Sequence, residues 1–131
     1  MHFATAEAQR RGLGEIVSFQ LGDAEFLPFD AGAFDAIVCE CAFCTFPCKP
    51  IAAQQFHRVL KKSGQVGLSD LTRATERIPD LEGLLSRIAC IGDALPIERY
   101  SVIFEESGFE IQHSEDHSDT LLETVRQVQV K

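Results

Sequence analysis

The sequence predicts an α/β fold, a mainly parallel sheet with helices on both of its faces. Three observations carry this reading. Short β-branched and aromatic runs such as FDAIVCE (34–40) alternate with stretches whose apolar residues recur at helical spacing. Later strands are joined by connections that hold helices of about ten residues or more, the length a parallel crossover needs. And 131 residues, 45% of them hydrophobic, suffice for one ordinary core, so the chain reads as a single domain over 1–131.

In chain order, residues 5–11 form a first helix, with Thr5 available as its N-cap and Gly12 and Gly14 to end it. IVSFQLG (16–22) is a first strand, DAEFLPFDAGA (23–33) a loop and FDAIVCE (34–40) a second strand. Pro50 suits a helix start, and Ala52, Phe56, Val59 and Leu60 repeat at helical spacing up to the KKSG stop. QVGLSD (65–70) is the third strand. A helix follows from Asp80, with Leu81, Leu84, Leu85 and Ile88 on one face, and another runs from near Pro96 to Ser107 and Gly108. FEIQHSEDH (109–117) reads as a fourth strand. Leu121, Leu122, Val125 and Val128 then fall at helical spacing, although VRQVQV also alternates as a strand does.

Charge and composition exclude several functions. A net charge of −8, with the twelve Lys and Arg scattered along the chain, repels a phosphate backbone, so no nucleic acid is expected. No run reaches the roughly 18 to 20 apolar residues that span a bilayer, and the start lacks a signal peptide's basic flank and apolar stretch. No membrane is expected, and the cytoplasm is the predicted location. An odd count of five cysteines without an export signal points to reduced thiols rather than a disulfide framework.

Four of those cysteines, Cys39, Cys41, Cys44 and Cys48, fall within ten positions. Their spacing, C-x-C-x2-C-x3-C, does not match a zinc knuckle, so no metal is assigned. On a strand Cys39 and Cys41 share a face, and Cys39 reads as a small core residue. His113 and His117 stand at i and i+4 on the last strand, where a metal pair is conceivable and exposed edge polarity is simpler. Ser118 or Asp119 suits a cap for the final helix. His57 and Arg58 read as solvent-facing, and Phe26, Phe29 and Phe34 as core under a loop. No Ser-His-Asp or Cys-His constellation can be read, so no catalytic residue is named.

From Gly22 onward GDAEFLPF, FDAIVC and FHRVLKKSGQVGLSD follow one another in an order and spacing that resembles the class I S-adenosylmethionine-dependent methyltransferases. The resemblance implies a truncated Rossmann-like methyltransferase sheet and S-adenosylmethionine as cofactor. In that family the residue matched by Asp23 hydrogen-bonds the adenine amino group, and the backbone of the next, Ala24, contacts the ring. Glu40, at the end of the following strand, joins the cofactor-binding group. Within the superfamily the chain is similar to the arsenite methyltransferases. ECAFCTFPCK places Cys41 on one arsenic-binding cysteine, CIGDAL places Cys90 on a second, and Cys44 is a third candidate for the substrate. Converging thiolates suit a soft, thiophilic centre. The chain departs from that pattern with Glu40 for Asn, Cys48 for Asp and Asp93 for a small residue.

Class I enzymes open with a strand running into a glycine-rich turn, and their next strand ends in an acidic residue that grips the ribose. Neither is matched in 1–131. The expectation is therefore a methyltransferase-like domain inactive alone, whose exposed sheet edges pair with a second copy in a homodimer or with a complementing chain that supplies the missing half. The alternative is a non-catalytic dimeric or partner-binding module with a cysteine-lined ligand cleft.

Overall fold

The computed structural model describes residues 1–74, 92–121 and 123. Helix α1 is His2–Arg10 and starts earlier than the sequence predicts. Thr5 is inside it rather than at its cap, its Oγ1 donating back to Met1 O at 3.2 Å. Glu7 pairs with Arg10 and Arg11 one turn on, and these guanidinium groups hold its carboxyl below the usual range. The chain then leaves the helix through Gly12 at φ +72, as expected.

The predicted strand at 16–22 is not formed. An extended segment becomes a strand only when its N–H and C=O groups find a ladder partner. Among the described residues only β1 (Phe34–Glu40) and β2 (Leu60–Ser69) pair as strands of a sheet. Ile16 and Leu21 lie 80% and 83% exposed, and the segment does not close against β1.

β1 and β2 run parallel, with Ala36 opposite Gln65 and Glu40 opposite Ser69. Helix α2 (Lys49–Val59) makes the crossover between them, so the predicted βαβ unit stands. Pro50 sits in its first turn, where a missing N–H costs nothing. The KKSG segment does not form a separate stop. β2 begins at Leu60 directly out of the helix, and the register slips between Phe34 and Ala36. Gly64 permits this approach, because a Cβ there would stand 2.8 Å from Leu60 Cδ2 and 3.1 Å from Asp35 O.

Helix α3 (Ile97–Glu106) packs on α2, and the core forms where these two meet the inner face of the sheet. Phe43, in the short 3-10 turn Phe43–Thr45, is fully buried at its centre. Four other aromatic rings surround it, those of Phe46, Phe56, Tyr100 and Phe104, with centroids 5.1 to 6.0 Å away. Alternation along β1 turns Cys39 inward as predicted, and burial, with Asp70 nearby, pushes its thiol pKa up. The same alternation leaves Val38 74% exposed on the opposite face.

Tyr100 carries a polar tip into this core. Its hydroxyl accepts from Leu95 N–H at 3.1 Å and donates to Leu71 O at 3.2 Å. Burial pushes its pKa up to about 12. Tyr100→Phe leaves the Leu95 N–H without that acceptor, and a loss of about 1–2 kcal/mol is expected in urea unfolding. A change within error would show that water satisfies both groups.

Two predicted surface residues have structural work. The half-buried Arg58 donates to Phe29 O at 2.7 Å and Leu27 O at 2.8 Å, so it ties the 23–33 loop to α2. His57 is exposed, yet its ring stands edge-on to Phe109 at 5.3 Å, beside Gly108 at φ +97, which ends α3 where predicted. Phe29 and Phe34 do pack under the loop at 4.9 Å, whereas Phe26 is 79% exposed.

The predicted strand at 109–117 is absent as well. The segment has no ladder partner among the described residues, and 110–117 are exposed. His113 and His117 therefore share no strand face. Each contacts a different oxygen of Glu115, at 2.7 and 2.8 Å, and holds that carboxyl below its usual range. Asp116 accepts from Ser118 N–H and Oγ just before the helical residues that begin at Ser118. The helix predicted from Asp80 and most of the one predicted after Leu121 lie outside the described residues. Among the described residues no helix is long and apolar enough to cross a membrane.

Candidate functional site

The site begins with a turn. Asp23 Oδ1 accepts Glu25 N–H at 2.9 Å and Asp23 O accepts Phe26 N–H at 3.0 Å, so the chain doubles back at 23–26. The second wall is Phe46-Pro47, which leaves the 3-10 turn and enters α2. Between the walls lies a cleft of about 320 Å³ lined by Gly22, Asp23, Ala24, Glu25, Phe46 and Pro47. It combines a carboxylate, a small residue and an apolar wall. Of the candidates read from the sequence, Asp23 and Ala24 both line it.

The other candidates divide. Glu40 and Cys41 are exposed at the carboxyl end of β1, the end at which open α/β sheets hold ligands. Cys41 adopts φ +49, uncommon for a residue with a Cβ, and its N–H donates to Ser69 O at 2.8 Å. Cys44 is placed differently from Cys41. Its side chain is fully buried in the core beside Phe43, away from the solvent a substrate would come from. Cys48 is half-buried at the N-cap of α2. Cys90 lies outside the described residues. Among the described residues no group of three His, Cys, Asp or Glu could hold a metal ion.

This pattern predicts thiol reactivity. Under native conditions iodoacetamide is expected to reach Cys41 first and Cys39 and Cys44 on the order of a hundredfold more slowly, as read by peptide mass spectrometry. Equal rates would mean that the core opens freely.

Sequence reasoning missed the carboxylates that brace this region and part of the cleft lining. Glu25 Oε1 accepts Cys48 N–H at 2.7 Å, across 23 positions of sequence. Asp70, at the end of β2, accepts Cys44 N–H and Leu71 N–H, both at 2.8 Å, and so fixes the turn after β1. Each is a carboxylate satisfying backbone N–H groups distant in sequence or at a strand end, for which local spacing gives no signal. Phe46 carried only an apolar letter.

With this geometry in view, comparison with known proteins is specific. Residues 1–68 match the family model described as a methyltransferase domain. The chain is 41% identical over 64 residues to nocamycin O-methyltransferase of Saccharothrix syringae, a match covering 49% of this chain and 22% of that protein. It is 36% identical over 59 residues to the ubiquinone/menaquinone biosynthesis C-methyltransferase of Allorhizobium ampelinum, covering 45% and 23%. Among solved structures, the (4+2)-cyclase SpnF superposes with a TM-score of 0.76 at 26% identity, over 90% of this chain and 41% of SpnF. The chain thus spans under a quarter of the length of the two curated relatives.

Proposed function

Because the chain belongs to the methyltransferase-domain family, matched over 1–68, we propose that its cleft takes the adenosyl part of S-adenosylmethionine. The observation that carries this is the convergence of the Asp23 carboxylate, Ala24 and the Phe46-Pro47 wall on one opening. An adenine needs an acceptor for its amino group and small or flat neighbours for its faces, and these residues supply both. In this reading Asp23 accepts from the amino group, the Ala24 backbone lies against the ring, and Glu40 joins them at the carboxyl end of β1. The cofactor, when bound, supplies an electrophilic methyl group.

The acceptor we propose is of the arsenite type, a thiophilic centre held by Cys41 with Cys90. The exposure of Cys41 at the same sheet end supports it, and Cys44, buried in the core, is given no part in it. The chain alone is inactive in this reading and works with a second copy or a complementing chain. Val38, Ile16 and Leu21, 74%, 80% and 83% exposed, are the apolar surface that such a partner would cover.

The test is calorimetric titration of the reduced chain with S-adenosylhomocysteine, with sedimentation velocity beside it. We expect a Kd between about 10 μM and 1 mM, the range a purine with few hydrogen bonds reaches. No heat from a folded chain at millimolar ligand overturns the adenosyl reading. Arsenite that fails to protect Cys41 from iodoacetamide overturns the thiol reading.

A further inference from the structure

We propose that Glu25 is the positioning residue of this cleft, a strut that fixes its two walls to each other. The inference rests on the adenosyl reading above and adds a residue to it. One wall is the turn at 22–25 and the other is Phe46-Pro47, which leads into Cys48 and α2. Glu25 belongs to the first wall, and its Oε1 accepts the N–H of Cys48 behind the second at 2.7 Å.

The bond is well placed to hold. Cys48 is the N-cap of an eleven-residue helix, so the carboxylate lies at the positive end of the α2 dipole. The contact is part-buried, and a charge-assisted bond of this kind is about twice as strong as a neutral one. A ring bound between two walls is held well only when their separation is set to within about 0.5 Å. Glutamate has the reach to set it, and aspartate is one methylene short.

The same loop has a second attachment, through Arg58 to Leu27 O and Phe29 O. Arg58 is next to last in α2, at the helix end opposite Cys48, and lies outside the cleft lining. The two attachments therefore separate stability from positioning. Loss of Arg58 loosens the loop, whereas loss of Glu25 loosens the cleft.

The experiment uses the full chain with Glu25→Ala, Glu25→Asp, Glu25→Gln and Arg58→Ala. Two quantities are read, amide hydrogen exchange at Cys48 by NMR and the Kd for S-adenosylhomocysteine. Glu25→Ala and Glu25→Asp are expected to speed Cys48 exchange about tenfold and to raise Kd by about tenfold, as loss of one charge-assisted bond implies. Glu25→Gln keeps an acceptor oxygen and should stay within about threefold of the parent on both. Arg58→Ala should lower the melting temperature and leave Kd within about twofold.

Unchanged Cys48 exchange in Glu25→Ala overturns the strut, and so does an unchanged Kd in a parent that binds. A parent that binds nothing overturns the adenosyl reading instead, and Cys48 exchange then decides the strut by itself. If Glu25→Ala does not fold, Glu25→Asp, which keeps the charge, decides on the same criteria.

Discussion

Phe43→Ala is expected to cost about 3–5 kcal/mol in urea unfolding followed by circular dichroism. That is a large part of the whole stability of an ordinary domain, so the variant should be substantially unfolded well below the parent's midpoint. The reason is position. Phe43 is fully buried and is in ring contact with Phe46, Phe56, Tyr100 and Phe104, which come from the turn itself, α2 and α3. Truncating it opens a cavity that three elements line and none can fill alone. Phe26→Ala is the control, since Phe26 is 79% exposed, and its effect should stay within about 0.5 kcal/mol. A loss below about 1 kcal/mol for Phe43 would mean that the ring cluster is not the core.

The βαβ unit was legible because each of its signals is local. FDAIVCE is a β-branched and aromatic run bounded by turn residues, Pro50 marks the start of the crossover helix, and both fall where the structure has them. Phe43, which organises the core, was not legible. Its letter sits in a cysteine-rich turn that invites a chemical reading, and only the fold brings α2 and α3 over it.

The two strand readings that failed, 16–22 and 109–117, failed for one physical reason. Strand propensity describes what a segment does when a neighbour completes its ladder, and it is silent on whether the neighbour is there. Ile16, Val17, Phe19 and Leu21 have the composition of a strand and remain exposed. Asp23 and Ala24, singled out by the resemblance to methyltransferases rather than by periodicity, line one cleft. The resemblance did not supply the supports. Glu25, Asp70 and Arg58 act through hydrogen bonds to backbone groups up to 31 positions away, and such pairs leave no spacing to read.

Asp23 is where the adenosyl reading meets its sharpest test, because its two oxygens have different duties. Oδ1 accepts Glu25 N–H and closes the turn, and the adenosyl reading gives Oδ2 to the adenine amino group. Asp23→Ala removes both, so it should weaken S-adenosylhomocysteine by about 10- to 100-fold while also loosening the turn. Asp23→Asn is more informative. Its amide oxygen can keep the Glu25 N–H, which leaves an NH₂ donor facing another donor, the adenine amino group. Binding should fall as far as in Asp23→Ala while the melting temperature stays near the parent's. An inosyl analogue, which presents a carbonyl where adenine presents its amino group, should then bind Asp23→Asn better than the parent. The contrast follows from hydrogen-bond polarity, which inverts at the 6-position and at N1, where the inosyl ring carries a proton and the adenosyl ring does not, while the ligand's size is kept. If Asp23→Asn keeps the parent's preference for the adenosyl ligand, Asp23 only shapes the turn and the amino group is read by some other acceptor.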